Sequence, residues 1–136
     1  MPSLVMVPLS EVRREWAVVR PMVEAVRERC PSNWIADDVY AAIQSQMALL
    51  HIAHDDDGHV CGCLVTQRKD DWGEPHLFVW ICFHRHADKT IADYWPEVLG
   101  LAKALGLKKV RCESPRSYER SIPMKPLYSV YEGVVE

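Results

Sequence analysis

Cysteine and histidine side chains occupy alternate positions along two apolar stretches and could bind a metal ion. The first stretch carries Cys61 and Cys63, and the second carries Cys82, His84 and His86. Residues two apart on a strand share one face, and neighbouring strands lie about 5 Å apart, so a zinc site between them is geometrically possible. Core packing is favoured, because cysteine is among the most buried residue types and structural zinc sites usually space their cysteines more widely. No metal ligand is assigned, and a small zinc-binding module stays an alternative.

Two other groups of residues could also do chemistry. The stretch His51–His59 gathers histidines and aspartates around Gly58, but acidic residues beside a glycine are typical of a solvated turn. Cys82 near His84 is a candidate thiol and base pair for nucleophilic catalysis. The favoured interpretation of the first group is that solvated turn. Side chains on one strand face usually pack against each other, so packing is the favoured interpretation of the second.

Composition predicts one compact globular domain over residues 1–136. The chain is 49% hydrophobic and 26% charged, and its net charge is -3. These are ordinary values for a soluble protein, and the scattered basic residues offer no electrostatic footprint for nucleic acid. Charged residues from Glu11 to Glu15 interrupt the first apolar run, which predicts neither a signal peptide nor a membrane span. We expect no nucleic-acid or membrane partner.

The number and placement of the cysteines indicate the redox state of the cellular compartment. Five cysteines are an odd number, and three of them, Cys61, Cys63 and Cys82, lie in apolar runs that resemble strands. This usage favours reduced thiols over a disulfide framework. We expect the protein in a host-cell cytoplasm or in a virion.

The first half of the chain predicts a strand and two helices. "LVMVPL" predicts a short strand, and Ser10 is a plausible N-cap for the helix that follows. Pro21 predicts a kink near Arg20 or a second helical piece, because proline removes a hydrogen bond and clashes with the preceding turn. "ADDVYAAIQSQ" predicts the second helix, with Asp37 or Asp38 near its positive end.

In the second half of the chain, the spacing of apolar residues changes from the helical period to the two-residue period of a strand. "MALLHIAH" and "VCGCLVTQ" predict a hairpin around an Asp/Gly turn, and "EPHLFVWICFH" predicts a central strand buried on both faces. A helix follows, with Trp95, Val98, Ala102 and Leu105 on one face and its end at Gly106. "KKVRCES" and "PLYSVYEGVV" predict the last strands. The fold class is therefore α/β, with a mixed, mostly antiparallel central sheet and helices on both faces.

The hairpin "DDDGHVCGCLV" and the helix-to-strand turn "LAKALGLKKVRCE", in this order, resemble the GNAT (Gcn5-related N-acetyltransferase) superfamily. The resemblance covers nearly the whole chain. "NWIADDVYAAI" and "SPRSYERSI" resemble the small GNAT-like proteins of tailed phages. The resemblance implies a GNAT-like sheet and, in an active member, acetyl-CoA as cofactor.

Active members carry an Arg/Gln-x-x-Gly-x-Gly/Ala loop between the central strand and the long helix. Its glycines let the backbone approach the pyrophosphate of coenzyme A, and N–H groups at the helix start point at the negative charge. Ala102 and Gly106 match the family's Ala and Gly positions, which places His86 at the Arg/Gln position, Lys89 at the first glycine and Ile91 at the second. Neither glycine is present.

Pro96 adds to the mismatch in this loop. Proline is comfortable only in the first turn of a helix, which predicts an N-cap near Asp93, about three residues beyond where a pyrophosphate would need the helix start. An aspartate at the N-cap would itself occupy the free N–H groups. The sequence therefore predicts an acetyltransferase fold with a degenerate acetyl-CoA site and no bound cofactor.

If the site is active, the resemblance implies roles for several residues. Tyr118 is the candidate general acid and Glu74 the candidate base, with His76 also on the substrate side. The alternative is that Tyr118 packs over the sheet edge. The candidate acetyl-CoA ligands are His86, Lys89 and the backbone of Phe83, His84 and Arg85.

Two function hypotheses from different classes follow. The first is a phage-type protein that acts by contact with another protein, phage or host, as a virion component or a host-directed effector. The second is an N-acetyltransferase that moves an acetyl group to an amine. Trp34 and Trp72 lie in loops, where a large aromatic either covers the core edge or forms an interface. A homo-oligomer is left open.

Overall fold

A computed structural model describes residues 4–30, 33–70, 74–86, 91–113, 124–128 and 131–135, with the backbone alone at residues 91 and 92. The helices and strands in chain order are β1 (Leu4–Met6), α1 (Leu9–Arg29), α2 (Ala36–Gln44), β2 (Leu49–His54), β3 (Val60–Lys69), β4 (His76–His84), α3 (Ile91–Ala104) and β5 (Val110–Cys112). No helix within these ranges is both long and apolar enough to cross a bilayer.

The strands form one sheet in the order β1-β2-β3-β4-β5. The first three pairings are antiparallel and β4 pairs with β5 in parallel. One face of the sheet packs against α1 and α2 through residues such as Val19 and Val39, and the other packs against α3 through Tyr94, Val98 and Ala102. The predicted mixed, mostly antiparallel sheet with helices on both faces is confirmed.

Helix α1 departs from the sequence prediction at Ser10 and at Pro21. It is one continuous helix through Pro21, and its N-cap is Pro8, so Ser10 lies inside the first turn. A proline in a helix interior costs about 3 kcal/mol. The exposed ring of Pro21 faces solvent while Val19 and Val23 beside it are fully buried. Burial of this apolar face holds the helix together, so the two-piece interpretation is wrong.

Helix α3 also contains a proline, and it begins earlier than predicted. It starts at Ile91 with Pro96 in its interior, so the predicted N-cap near Asp93 is wrong. The reason is packing again, because Tyr94, Val98 and Ala102 recur at helical spacing and are all buried against the sheet. The helix start at Ile91 therefore lies next to Thr90, where the resemblance to the family would place it, and not three residues later.

The end of α3 follows the sequence prediction. Gly106 has φ +73°, its N–H donates to the Lys103 carbonyl at 3.0 Å, and the Leu107 N–H donates to the Ala102 carbonyl at 2.8 Å. This pair of bonds is a Schellman cap, in which a left-handed glycine lets the chain turn back on itself. Leu107 is buried beside Ala102 in the same core. Leu105, predicted on the buried face, is 38% exposed.

The hairpin turn between β2 and β3 is also as predicted. The Asp55 carboxylate accepts the N–H groups of Asp57 and His59, each at 2.9 Å, and Gly58 takes φ +82°. Hydrogen bonds from the His59 and Asp57 backbone lower the pKa of Asp55, opposed in part by desolvation. The acidic tip is thus a structural turn, as the sequence interpretation favoured.

The predicted last strand is not found in the part of the chain that the structure describes. Residues 126–128 and 131–135 have no strand structure, and their apolar side chains are exposed: Leu127, Tyr128, Tyr131, Val134 and Val135. A strand pattern becomes a strand only when a neighbouring strand pairs with its backbone. Among the described strands none pairs with this segment.

Candidate functional site

Two β-bulges shape the sheet where β3 and β4 meet the turn before α3. Ala53 pairs with Gly62 while His54 pairs with Val60, so Cys61 is an extra residue on β3. Thr66 pairs with Val79 while Val65 pairs with Ile81, so Trp80 is an extra residue on β4. A bulge reverses the alternation of side chains along its strand and increases the local twist.

The bulge on β3 separates the two cysteines that could have shared a zinc ion. Cys61 lies in the core beneath α3, and Cys63 lies in the core beneath α1 and α2. Burial raises the pKa of the Cys63 thiol and raises that of Cys82 to about 12, whereas zinc binds the thiolate. The structure does not bring the candidate zinc ligands to one point, because the premise that Cys61 and Cys63 share a face is wrong.

β4 and the described part of β5 share a short parallel pairing. Leu77 pairs with Val110 and Val79 with Cys112, and there the described part of β5 ends while β4 continues to His84. Within the described residues, this edge of β4 from Trp80 to His84 faces no strand. Unpaired backbone groups on a strand edge can bind an extended ligand.

The first backbone N–H groups of the turn after β4 donate hydrogen bonds to acceptors in this chain. The Arg85 N–H donates to the Cys61 carbonyl at 2.7 Å, and the Arg85 guanidinium donates to the Val60 carbonyl at 2.9 Å. The His86 N–H donates to Nδ1 of His84 at 3.0 Å. Arg85 is thereby held against β3, and the N–H groups of both turn residues already have acceptors.

This last bond fixes the tautomer of His84. Because Nδ1 accepts a hydrogen bond, the proton of the neutral ring is on Nε2, which lies 3.4 Å from Sγ of Cys61. The Cys61 thiol in turn lies 3.5 Å from the Ala53 carbonyl. Burial, with the field of Asp55, raises the pKa of Cys61. The pair is therefore a neutral thiol beside a ring that donates to it, which is the wrong arrangement for a base that activates a nucleophile.

Tyr94 of α3 completes this cluster. Its ring centroid lies 6.0 Å from that of His84, and its buried hydroxyl has no hydrogen-bond partner among the described residues. Burial raises the pKa of Tyr94, so the hydroxyl is neutral. Sequence reasoning missed the grouping of Cys61, His84 and Tyr94 because a bulge creates it. Gly62 was the available signal, since a glycine inside a strand often marks a bulge.

The side chains of Phe83 and His84 face opposite sides of the sheet, and the binding role expected of the backbone of residues 83–85 stays a prediction. Phe83 faces the α1 side, where the Arg29 guanidinium carbon lies 5.9 Å from its ring centroid, and His84 faces α3. His86 is exposed, with its ring 5.3 Å from that of His84. Lys89 lies outside the described residues and stays a prediction. The residues present do not match the glycine-lined set of N–H donors that a pyrophosphate needs.

Of the two candidate catalytic residues, the structure describes only Glu74, which does not lie at this turn. Glu74 precedes β4 and pairs with Lys109 at 2.9 Å, and that hydrogen bond lowers the pKa of Glu74. The turn is at the other end of β4, roughly 25 Å away at 3.3 Å per residue. His76 is fully buried next to Glu74. Tyr118 and Trp72 lie outside the described residues.

Trp34 covers the core edge. Its ring meets that of Trp80 edge-on, with centroids 6.0 Å apart, and both are partly buried against the core beneath α1 and α2. Of the two interpretations of Trp34, an edge cover or an interface, the structure gives the first. This packing places Trp34 next to the bulge at Trp80.

Solved structures of acetyltransferases resemble this chain over nearly its whole length. A ribosomal-protein-alanine N-acetyltransferase from Brucella melitensis superposes with a TM-score of 0.68 at 18% identity, covering 96% of each chain. An aminoglycoside acetyltransferase from an uncultured soil metagenomic sample gives 0.70 at 9% identity, covering 99% of this chain and 97% of that one. Glucosamine-6-phosphate N-acetyltransferase from Arabidopsis thaliana gives 0.65 at 8% identity, covering 100% and 99%.

No protein-family model matches the sequence, and no curated protein matches it significantly. The structural likeness shows the fold. The chain has the α/β fold of the GNAT acetyltransferases, as the sequence resemblance predicted.

Proposed function

We propose that this chain is a phage-type protein with an acetyltransferase fold and a degenerate acetyl-CoA site, and that it acts by contact with another protein, phage or host. The observation that carries the proposal is the turn after β4, where the N–H groups of Arg85 and His86 donate to the Cys61 carbonyl and to His84 Nδ1. A pyrophosphate held by backbone donors needs such groups free. The phage assignment rests on the sequence resemblance alone.

The sequence of the turn supports the same conclusion. The stretch from His84 to Ile91 contains no glycine and includes Asp88. Side chains at the two glycine positions of the family limit how closely a phosphate can approach the backbone. An aspartate in the same turn repels a phosphate group.

The segment near the C-terminus supports a role in protein contact. Tyr131, Val134 and Val135 are 90%, 89% and 95% exposed, and Tyr128 is 70% exposed. Large apolar side chains grouped on an exposed segment are typical of interaction sites. We propose that this segment, residues 127–135, contacts the partner, which leaves a homo-oligomer as one form of that contact.

An active N-acetyltransferase is the second candidate. It is favoured by the edge of β4 after Val79, which pairs with no strand among the described residues, and by the start of α3 at Ile91, where a phosphate-binding helix would begin. The similar structures are a ribosomal-protein-alanine N-acetyltransferase, an aminoglycoside acetyltransferase and a glucosamine-6-phosphate N-acetyltransferase, so an amine would be the acceptor. Acetyl-CoA would then be the cofactor.

Calorimetric titration with acetyl-CoA at neutral pH separates the two candidates. We expect no saturable heat up to about 1 mM ligand. Binding on the order of 10 µM that Lys89→Glu abolishes would overturn the proposal and favour the enzyme. Lys103→Glu, at an exposed position on α3, is the matched charge-reversal control.

The proposed contact with another protein needs a separate measurement. Cross-linking in an infected-cell lysate would compare the native chain with a variant in which Tyr131, Val134 and Val135 are replaced by serine. We expect specific adducts with the native chain and their loss in the variant. Equal adducts from both chains would show that this segment is not the contact surface.

A further inference from the structure

Strand β1 forms one edge of the sheet, and its pairing with β2 shows which of its backbone groups point outward. The N–H of Val7, the residue that follows β1, donates to the Leu50 carbonyl of β2 at 2.9 Å. In an antiparallel pair, alternate residues exchange hydrogen bonds with the partner strand. Val5 therefore also directs its backbone groups to β2, whereas the N–H and C=O groups of Leu4 and Met6 point away from the sheet.

Helix α3 closes part of this outer edge with a carboxylate. The Leu4 N–H donates to Oε2 of Glu97 at 2.7 Å, a distance typical of a hydrogen bond to a charged acceptor. Tyr94 and Val98, which lie within one turn of Glu97, are buried against the sheet and hold the carboxylate in this place. The outward N–H of Leu4 is therefore already used.

The outer edge of β1 is complementary to itself. When two copies pair antiparallel about Val5, Leu4 of each copy lies opposite Met6 of the other, and their outward groups can form up to about four hydrogen bonds. The strand is apolar throughout, and Val5 and Met6 are each 52% exposed. The two Val5 side chains meet at the centre, where a pair without hydrogen bonds brings β-branched residues close together.

The strand has no protection of its own against such pairing. Sheet edges often carry lysine or proline, which discourage a second strand, and the residues Leu4–Met6 include neither. The one charged group that is bonded to this edge comes from α3.

We propose that Glu97, by bonding the Leu4 N–H, keeps this chain from joining a second copy of itself into one continuous sheet through β1. Because Glu97 occupies this N–H in each copy, about half of the hydrogen bonds between the two strands are lost. A carboxylate at the edge must also lose water when a strand covers it. The surface includes none of residues 127–135, so the inference goes beyond the proposed function and does not depend on it.

The test is sedimentation velocity from about 10 µM to about 300 µM protein. Glu97→Ala removes the acceptor, and Glu28→Ala, at an exposed position on α1, removes an equal charge elsewhere. Glu97→Gln keeps an oxygen that can accept from Leu4. Two further variants block the edge in the Glu97→Ala background. Met6→Pro removes an N–H that points outward, which an edge strand tolerates, and Val5→Lys places like charges opposite each other. Circular dichroism checks that each variant is folded.

We expect Glu97→Ala to associate at least about tenfold more tightly than the wild type. Glu28→Ala and Glu97→Gln should behave as the wild type, and Met6→Pro or Val5→Lys should reverse the effect of Glu97→Ala. Association through residues 127–135 is common to all variants and cancels in the comparison.

Three results would overturn the inference. The first is a Glu97→Ala variant that associates no more than the wild type, and the second is association that survives both blocking substitutions. The third is equal association of Glu97→Gln and Glu97→Ala, because the bond to Leu4 would then not be what closes the edge.

Discussion

Nδ1 of His84 accepts a hydrogen bond from the backbone N–H of His86, two residues further along the chain, at 3.0 Å. The neighbouring N–H of Arg85 donates to the Cys61 carbonyl at 2.7 Å. The bulge at Cys61 places its side chain on the α3 side of the sheet, where Sγ lies 3.4 Å from Nε2 of His84. The fold of an acetyltransferase is thus combined with a turn whose first donors are used inside the protein.

Gly62 permits the close approach of β3 and β4 beside this turn. A Cβ atom at this position would lie 2.6 Å from the Phe83 carbonyl oxygen. We expect Gly62→Ala to lower the free energy of unfolding by about 2 kcal/mol, because the strands must move apart. Urea unfolding measures the change.

Gly100→Ala is the matched control for Gly62→Ala. Gly100 is exposed on α3, and a Cβ atom there meets nothing within 4 Å. Alanine is a better helix former than glycine, so this variant should gain about 0.5–1 kcal/mol. A similar loss in both variants would show that the contact with Phe83 is not the cause.

His51 makes the stability of the fold depend on pH. It is buried on β2, its Nδ1 has no partner among the described residues, and burial lowers its pKa. The unfolded chain therefore binds a proton near pH 6.5 that the folded chain does not, and stability falls as the pH falls through this value. We expect His51→Leu to remove most of that fall and to be as stable as the wild type, or more so, at neutral pH.

The control for His51→Leu is His59→Gln at the exposed hairpin tip. Thermal unfolding at about pH 7.5 and about pH 5.5 gives the difference for each variant. His59→Gln should keep the acid sensitivity of the wild type. An undiminished loss of stability in His51→Leu would contradict this assignment.

The hydroxyl of Tyr94 is a buried group without a partner in the described structure. Removing an unsatisfied polar atom relieves a desolvation penalty, so Tyr94→Phe should unfold at the same free energy as the wild type or up to about 1 kcal/mol higher. Tyr40→Phe is the comparison, because the Tyr40 hydroxyl accepts a hydrogen bond from Gln44 at 2.9 Å. That variant should lose roughly 0.5–1.5 kcal/mol. A larger loss at Tyr94 than at Tyr40 would show that its hydroxyl has a partner.

The sequence correctly predicted those turns, helix ends and strands that depend on residues close together in the chain. The hairpin around Gly58 and the end of α3 at Gly106 depend on left-handed glycines that the sequence displays directly. The central sheet followed from alternation and from its long apolar strand. Pro21 and Pro96 misled the prediction of helix bounds, because burial of whole apolar faces outweighs one lost hydrogen bond.

The candidate site could be predicted only in part. The turn from His84 to Ile91 was found from its place between strand and helix, and its missing glycines are visible in the sequence. The bond between His84 and Cys61 depends on a one-residue bulge, which shifts every side chain beyond it to the other face. No pattern of alternation shows such a shift. The described residues of the predicted last strand form no strand for a related reason, since pairing partners are not encoded in the segment itself.

Restoring the two family glycines tests the central claim most directly. The double variant Lys89→Gly with Ile91→Gly would be titrated with acetyl-CoA beside the wild type and beside Lys89→Ala with Ile91→Ala, which removes the same side chains without adding glycine's backbone freedom. A site that is degenerate through its turn predicts no binding up to about 1 mM by the wild type or the alanine variant, and a measurable affinity, on the order of 100 µM or better, in the glycine variant. Binding on the order of 10 µM by the unaltered chain at neutral pH would contradict the claim.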